Sequence, residues 1–206
     1  MADPTRPQLY LVTPPAPDMS SFPNLLERVL DRAEPACLRL ALASHDADTV
    51  ARTADRLREI AHARDIACVL DRHVALAARL GLDGVHLTDG SRGVRAARKE
   101  LGADAIVGSF CGTSSHDGMT AAEAGADYVA FGPVGGSALG DGQQAGRDLF
   151  AWWSEMIELP VVAEGALTPA LVADLAPATD FLALGEEIWA TDDPAATLAA
   201  FTAALG

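Results

Sequence analysis

The sequence predicts an α/β protein built as a single compact (β/α)8 TIM barrel over residues 1–206. Two observations carry this. Eight short β-rich runs alternate with Ala-rich amphipathic stretches, and 206 residues shared among eight units gives about 26 each, enough for parallel strands with helical crossovers. A small-x-Asp tripeptide also precedes four of the runs: Gly81-Leu82-Asp83, Gly102-Ala103-Asp104, Gly125-Ala126-Asp127 and Ala178-Thr179-Asp180. One device therefore turns helix into strand four times.

The first run, Leu9 to Thr13, is followed by Thr13-Pro14-Pro15-Ala16-Pro17. A doubly wound open sheet would carry a glycine-rich turn there, so the barrel is preferred. The second run is Cys37 to Leu42, and Val50, Ala54, Leu57 and Ala61 after it recur at helical spacing. Runs three and four, Ala67 to Leu70 and Gly84 to Leu87, enclose Leu76, Ala77 and Leu80 ending at Gly81. Runs five and six are Ala105 to Phe110 and Tyr128 to Phe131, with Gly102 and Gly125 closing the helices before them. Runs seven and eight are Pro160 to Glu164 and Phe181 to Gly185. Thr168-Pro169 and Asp193-Pro194 each place a capping oxygen before a proline suited to a first helical turn.

Composition narrows the function. Half the residues are hydrophobic and 21% are charged, which supports a folded core. No apolar run approaches the ~20 residues of a membrane span, and Met1 to Pro7 lacks a signal-peptide pattern, so a cytoplasmic protein without membrane partners is expected. With 15 bases against 29 acids the net charge is −14, which repels nucleic acid. All basic residues except Lys99 are arginine, and Lys99 lies in a helical pattern, so Schiff-base chemistry at a strand end is excluded. Cys37, Cys68 and Cys111 fit no zinc or disulfide spacing and read as buried thiols. Gly135 to Gly146 contains five glycines and reads as a lid or a plain loop after strand six. Trp152-Trp153 offers apolar surface for a homodimer or a cover for the barrel.

In a barrel of this kind, sites form at the carboxyl ends of the strands. The polar residues there are Thr13, Arg39, Asp71 with Arg72, Thr88 with Asp89, Ser109 through His116, Glu164, and Glu186 with Glu187. Alternation along Cys37-Leu38-Arg39-Leu40-Ala41-Leu42 points Arg39 into the barrel, where it needs a carboxylate or an anionic ligand. His116 is placed either for acid–base work or at a helix start, and His86 reads as a core histidine bonded to a neighbour.

Leu9-Tyr10-Leu11-Val12-Thr13, Asp71-Arg72, Gly84-Val85-His86-Leu87, Gly125 to Val134 and Pro160-Val161-Val162-Ala163 together resemble the thiamine phosphate synthase superfamily, which includes thiazole tautomerases. The resemblance runs from about Leu9 to Ile188. It implies a transferase fold that joins a hydroxymethylpyrimidine diphosphate to a thiazole phosphate with magnesium and basic residues, with no organic cofactor.

Several family positions differ. The Gln-x-Arg-x-Lys pattern reads Cys37-Leu38-Arg39-Leu40-Ala41, the Asn-Asp pair reads Leu70-Asp71, and the segment after strand four reads His86-Leu87-Thr88-Asp89-Gly90-Ser91. The phosphate turns read Glu164-Gly165-Ala166 and Leu184-Gly185-Glu186-Glu187. The candidate site is therefore Arg39 and His116 for catalysis, Thr13, Ser109, Gly132, Glu164, Gly165, Gly185 and Glu186 for a small-molecule ligand, and Asp71 and Asp89 for Mg2+.

Like charges 4 to 6 Å apart repel by roughly 3 to 4 kcal/mol at an effective dielectric near 20, enough to cancel a good phosphate contact. The expectation is a diverged member that handles a thiamine-related heterocycle, with its diphosphate and phosphate sites largely lost and without efficient synthase turnover. The rival expectation is a non-catalytic barrel that binds a small ligand or a protein partner.

Overall fold

A computed structural model describes residues 6–136 and 143–205. Its eight strands close a parallel barrel in chain order, with β1 (Gln8–Val12) pairing both β2 (Cys37–Leu40) and β8 (Phe181–Leu184). Between these lie β3 (Ala67–Asp71), β4 (Gly84–Leu87), β5 (Ile106–Phe110), β6 (Tyr128–Phe131) and β7 (Val161–Glu164). The crossovers are α1 (Phe22–Leu30), α2 (Ala47–His62), α3 (Val74–Leu80), α4 (Val94–Leu101), α5 (Ser115–Glu123), α6 (Arg147–Met156) and α7 (Pro169–Leu175). A short α8 (Glu186–Trp189) precedes the last helix, α9 (Pro194–Ala204). The sequence reading took residues 185–187 as a turn and missed α8.

Alternation divides the strand residues between two cores. Leu9, Leu11, Leu38, Leu40, Leu70, Val107, Val129 and Phe131 pack outward with the helices. Tyr10, Cys37, Val69, Tyr128, Ala130, Val162 and Ala183 fill the barrel interior. Tyr128 crosses the interior because β5 gives way at Gly108, where a Cβ would lie 2.0 Å from the tyrosine ring. The second strand ends earlier than its apolar run: the amide of Ala41 donates to the Thr13 hydroxyl at 3.1 Å, outside the ladder.

The predicted stops and starts are present. Gly81 closes α3 at φ 66°, where a side chain would be strained. Thr168 accepts from the Leu171 amide at 3.2 Å, and Asp193 accepts from Ala196 at 3.0 Å.

The recurring aspartates have a defined task. The Asp83 amide donates to the Cys68 carbonyl at 2.9 Å while its carboxylate accepts the Cys68 N–H at 2.7 Å. Asp127 does the same with Val107 at 2.8 and 2.7 Å, and Asp180 with Val161 at 3.1 and 2.8 Å. A strand's first amides would otherwise lack acceptors, so each aspartate satisfies one of them. Asp104, exposed before β5, makes no such bond.

Trp153 of α6 is fully buried against Phe131, and its indole N–H donates to the Leu159 carbonyl at 2.8 Å. It fits because α5 carries Gly118 at the contact, where a Cβ would lie 2.7 Å from the indole. Trp152 is 39% exposed beside Met156 at 64%. The tryptophan pair is therefore half core and half surface. Half of the segment read as a lid, residues 137–142, lies outside the described residues.

Candidate functional site

At the carboxyl ends of β2, β3 and β7 three charged side chains meet inside the barrel. Arg39 donates from Nε to Asp71 Oδ1 at 2.7 Å, from Nη2 to Asp71 Oδ2 at 3.3 Å, and from Nη1 to Glu164 Oε2 at 2.7 Å. Side-chain exposure is 9%, 6% and 18% for Arg39, Asp71 and Glu164. One guanidinium thus faces two carboxylates, a formal sum of −1 held largely away from water. Burial raises the Asp71 and Glu164 carboxyls above the usual range, and Arg39 only partly offsets it. For Arg39 burial works to lower the pKa, but Glu164 and Asp71 outweigh it and the guanidinium stays charged.

A third carboxylate lies at the β7 and β8 ends. Glu187 accepts the Leu167 amide on Oε1 at 3.0 Å and the Gly185 amide on Oε2 at 2.8 Å. The β7 loop reaches this position through left-handed residues, Gly165 at φ 88° and Ala166 at φ 55°. Gly132 lets the β6 end approach: a Cβ there would lie 2.4 Å from the Glu164 carbonyl oxygen.

Below the triad a hydrogen-bonded chain crosses the barrel. The Tyr10 and Tyr128 hydroxyls lie 2.7 Å apart, and Tyr128 reaches His86 Nδ1 at 2.8 Å. Burial, assisted by Arg39, holds the His86 pKa well below its ordinary value, so the ring is neutral. Its Nε2 has no partner.

The predicted site residues therefore separate. Arg39, Asp71 and Glu164 come together, with Gly132 and Gly165 supporting them. Thr13 is buried and joins the β1 and β2 ends through its bond from Ala41. Ser109 is fully buried beside Cys111, on the helix-facing side of β5 with Val107, and so does not reach the mouth. Its placement among ligand contacts is corrected by strand parity. His116 is exposed as the second residue of α5, whose cap is Ser114, so it starts a helix as the alternative reading had it. Asp89 is exposed and lines a different depression, with Thr88, Phe110 and Asp117. Among the described residues no three His, Cys, Asp or Glu side chains converge as metal ligands, and both Asp71 oxygens already face Arg39. Glu186 is exposed, whereas Glu187 turns inward. The sequence places both glutamates at this end, and the structure turns Glu187, not Glu186, toward the β7 and β8 ends.

The fold and the position of this cluster define a class: a TIM-barrel protein whose polar groups gather where such barrels bind small molecules. The profile described as Thiamine monophosphate synthase matches residues 9–188. The thiamine-phosphate synthase of Rhodospirillum centenum is 41% identical over 197 residues, covering 94% of this chain and 95% of that protein. That of Erythrobacter litoralis is 40% identical over 198 residues, covering 93% and 92%. Among solved structures, a thiamine phosphate pyrophosphorylase from Pyrococcus furiosus shares the fold, with a TM-score of 0.81, 19% identity and 97% of each chain covered. The chain belongs to the thiamine monophosphate synthase family. No helix among the described residues is long and apolar enough to cross a membrane.

Proposed function

We propose that this protein handles a thiamine-related heterocycle at the carboxyl-end mouth of its barrel, with a reduced hold on phosphorylated groups and without efficient synthase turnover. The observation that carries this reading is Glu187, whose two oxygens take the Leu167 and Gly185 amides. A phosphate arriving there has to displace a carboxylate and its charge. Arg39 is similarly engaged by two internal carboxylates, and the only lysine, Lys99, belongs to α4.

Magnesium belongs to the same proposal. It favours one or two carboxylates plus substrate oxygens rather than an all-protein cage. Asp71 and Asp89 lie apart and provide no closed donor set, so either could hold the ion only as a single carboxylate in a shell completed by substrate and water. A non-catalytic ligand-binding barrel is the second reading, favoured by the way the triad satisfies its own hydrogen bonds.

Turnover of the two phosphorylated precursors with magnesium tests the first reading. Expected is little or no thiamine phosphate from the parent protein. Product at rates ordinary for an enzyme, about 1 to 10³ per second, overturns it. Stabilisation by a thiamine-related heterocycle, measured by thermal shift, separates the first reading from the second.

A further inference from the structure

On the carboxyl-end face but apart from the Arg39 cluster, a cavity of 410 Å³ lies between the β1–α1 loop, the segment after β2 and the first turns of α2. Its volume falls within the range of small-molecule pockets. Pro15, Pro17, Met19, Leu42, Val50 and Thr53 form most of its wall, and none of its ten lining residues is ionisable. In a chain of net charge −14 such a neutral lining disfavours ions of either sign and favours an uncharged guest.

The wall is also stiff. Pro15 and Pro17 have fixed φ, and the Pro15 carbonyl accepts the Ala43 amide at 2.9 Å, which pins one loop to the other.

Thr53 is the informative residue. It is 7% exposed, lines the cavity, and its hydroxyl has no hydrogen-bond partner. Helical threonines ordinarily satisfy themselves on the carbonyl four residues back. Thr120 does so on His116 at 2.9 Å and Thr202 on Leu198 at 3.0 Å, but Thr53 does not. The Thr53 residue is largely buried while its partnerless hydroxyl stays accessible from the cavity, so the hydroxyl is free to meet a guest there.

We propose that this cavity binds an uncharged small molecule with an apolar body and one hydrogen-bonding group, which meets the Thr53 hydroxyl. The proposal uses neither the Arg39, Asp71 and Glu164 cluster nor Glu187, and stands whether or not the protein turns over thiamine precursors.

Titration of the full chain with benzyl alcohol and, separately, benzoate, followed by amide resonances, tests it. Expected are saturable shifts centred on Ala43, Val50 and Thr53 with benzyl alcohol, and binding at least tenfold weaker with benzoate. Thr53→Val weakens benzyl alcohol about fivefold, the equivalent of one neutral hydrogen bond at roughly 1 kcal/mol, while Thr53→Ser stays within about twofold. The melting temperature of Thr53→Val stays at or above the parent's, since the substitution keeps the side-chain shape and removes no internal hydrogen bond. The proposal fails if shifts centre elsewhere or do not saturate, if benzoate binds equally, or if Thr53→Val binds like the parent. It fails equally if that variant melts lower, because the hydroxyl then had an internal partner.

Discussion

Replacing Arg39 by methionine tests the charge balance at the mouth. The substitution keeps much of the side-chain volume but leaves Asp71 and Glu164 buried together without their cation. Charges about 4 Å apart interact by roughly 4 kcal/mol at an effective dielectric near 20, and removing one partner of a buried ion pair typically costs about 3 to 5 kcal/mol. That is a large share of a typical folding free energy of about 5 to 15 kcal/mol.

The loss depends on pH. Both carboxyls sit above their ordinary range already, burial being the larger influence and Arg39 the counterweight. A carboxyl whose folded pKa is raised contributes stability that is complete below the unfolded value near 4 and is lost as pH rises through the folded value. Without Arg39 the folded values rise further, so the deficit grows with pH. Urea denaturation at pH 5 and pH 8 is therefore expected to show the variant about 3 to 5 kcal/mol less stable at pH 8 and markedly closer to the parent at pH 5. Adding Asp71→Asn and Glu164→Gln should restore most of the difference at pH 8. A variant as stable as the parent, or a deficit equal at both pH values, would refute the reasoning.

Asp180→Ala removes the acceptor of the Val161 amide and should lower stability by about 1 to 3 kcal/mol, while Asp104→Ala should change it by less than about 0.5 kcal/mol; paired urea melts decide. Gly118→Ala should destabilise by about 1 to 3 kcal/mol, although alanine favours helix, because its methyl meets Trp153; a changed near-UV tryptophan spectrum would accompany the lower melting point. Glu187→Ala frees the Leu167 and Gly185 amides and should cost about 1 to 3 kcal/mol, with inorganic phosphate raising its melting temperature more than the parent's. Equal phosphate responses would show that Glu187 does not hold the position against anions.

The barrel was legible because its strands carry compact apolar runs between polar turns, and because glycine and aspartate recur at fixed offsets. The inward face of Arg39 followed from alternation with three leucines. Its partners did not, since only closure of the sheet brings residues 39, 71 and 164 together. Ser109 was misplaced for a local reason: Ile106, Gly108 and Phe110 alternate with Val107, Ser109 and Cys111, and neither set is polar enough to reveal which faces the helices. Glu186 and Glu187 were indistinguishable until α8 turned one outward. Thr53 was invisible because a threonine in a helical pattern carries no sign of whether its hydroxyl bonds backward.

The double grip of Asp83, Asp127 and Asp180 ties β3 to β4, β5 to β6 and β7 to β8, and the β4–β5 seam is among those without one. The cylinder thus holds three stapled pairs, with β1 and β2 unstapled, rather than eight equal staves. A circularly permuted chain opened between α4 and β5 would keep every staple intact, whereas one opened inside a stapled pair would cut the polypeptide between the two strands that its staple holds together.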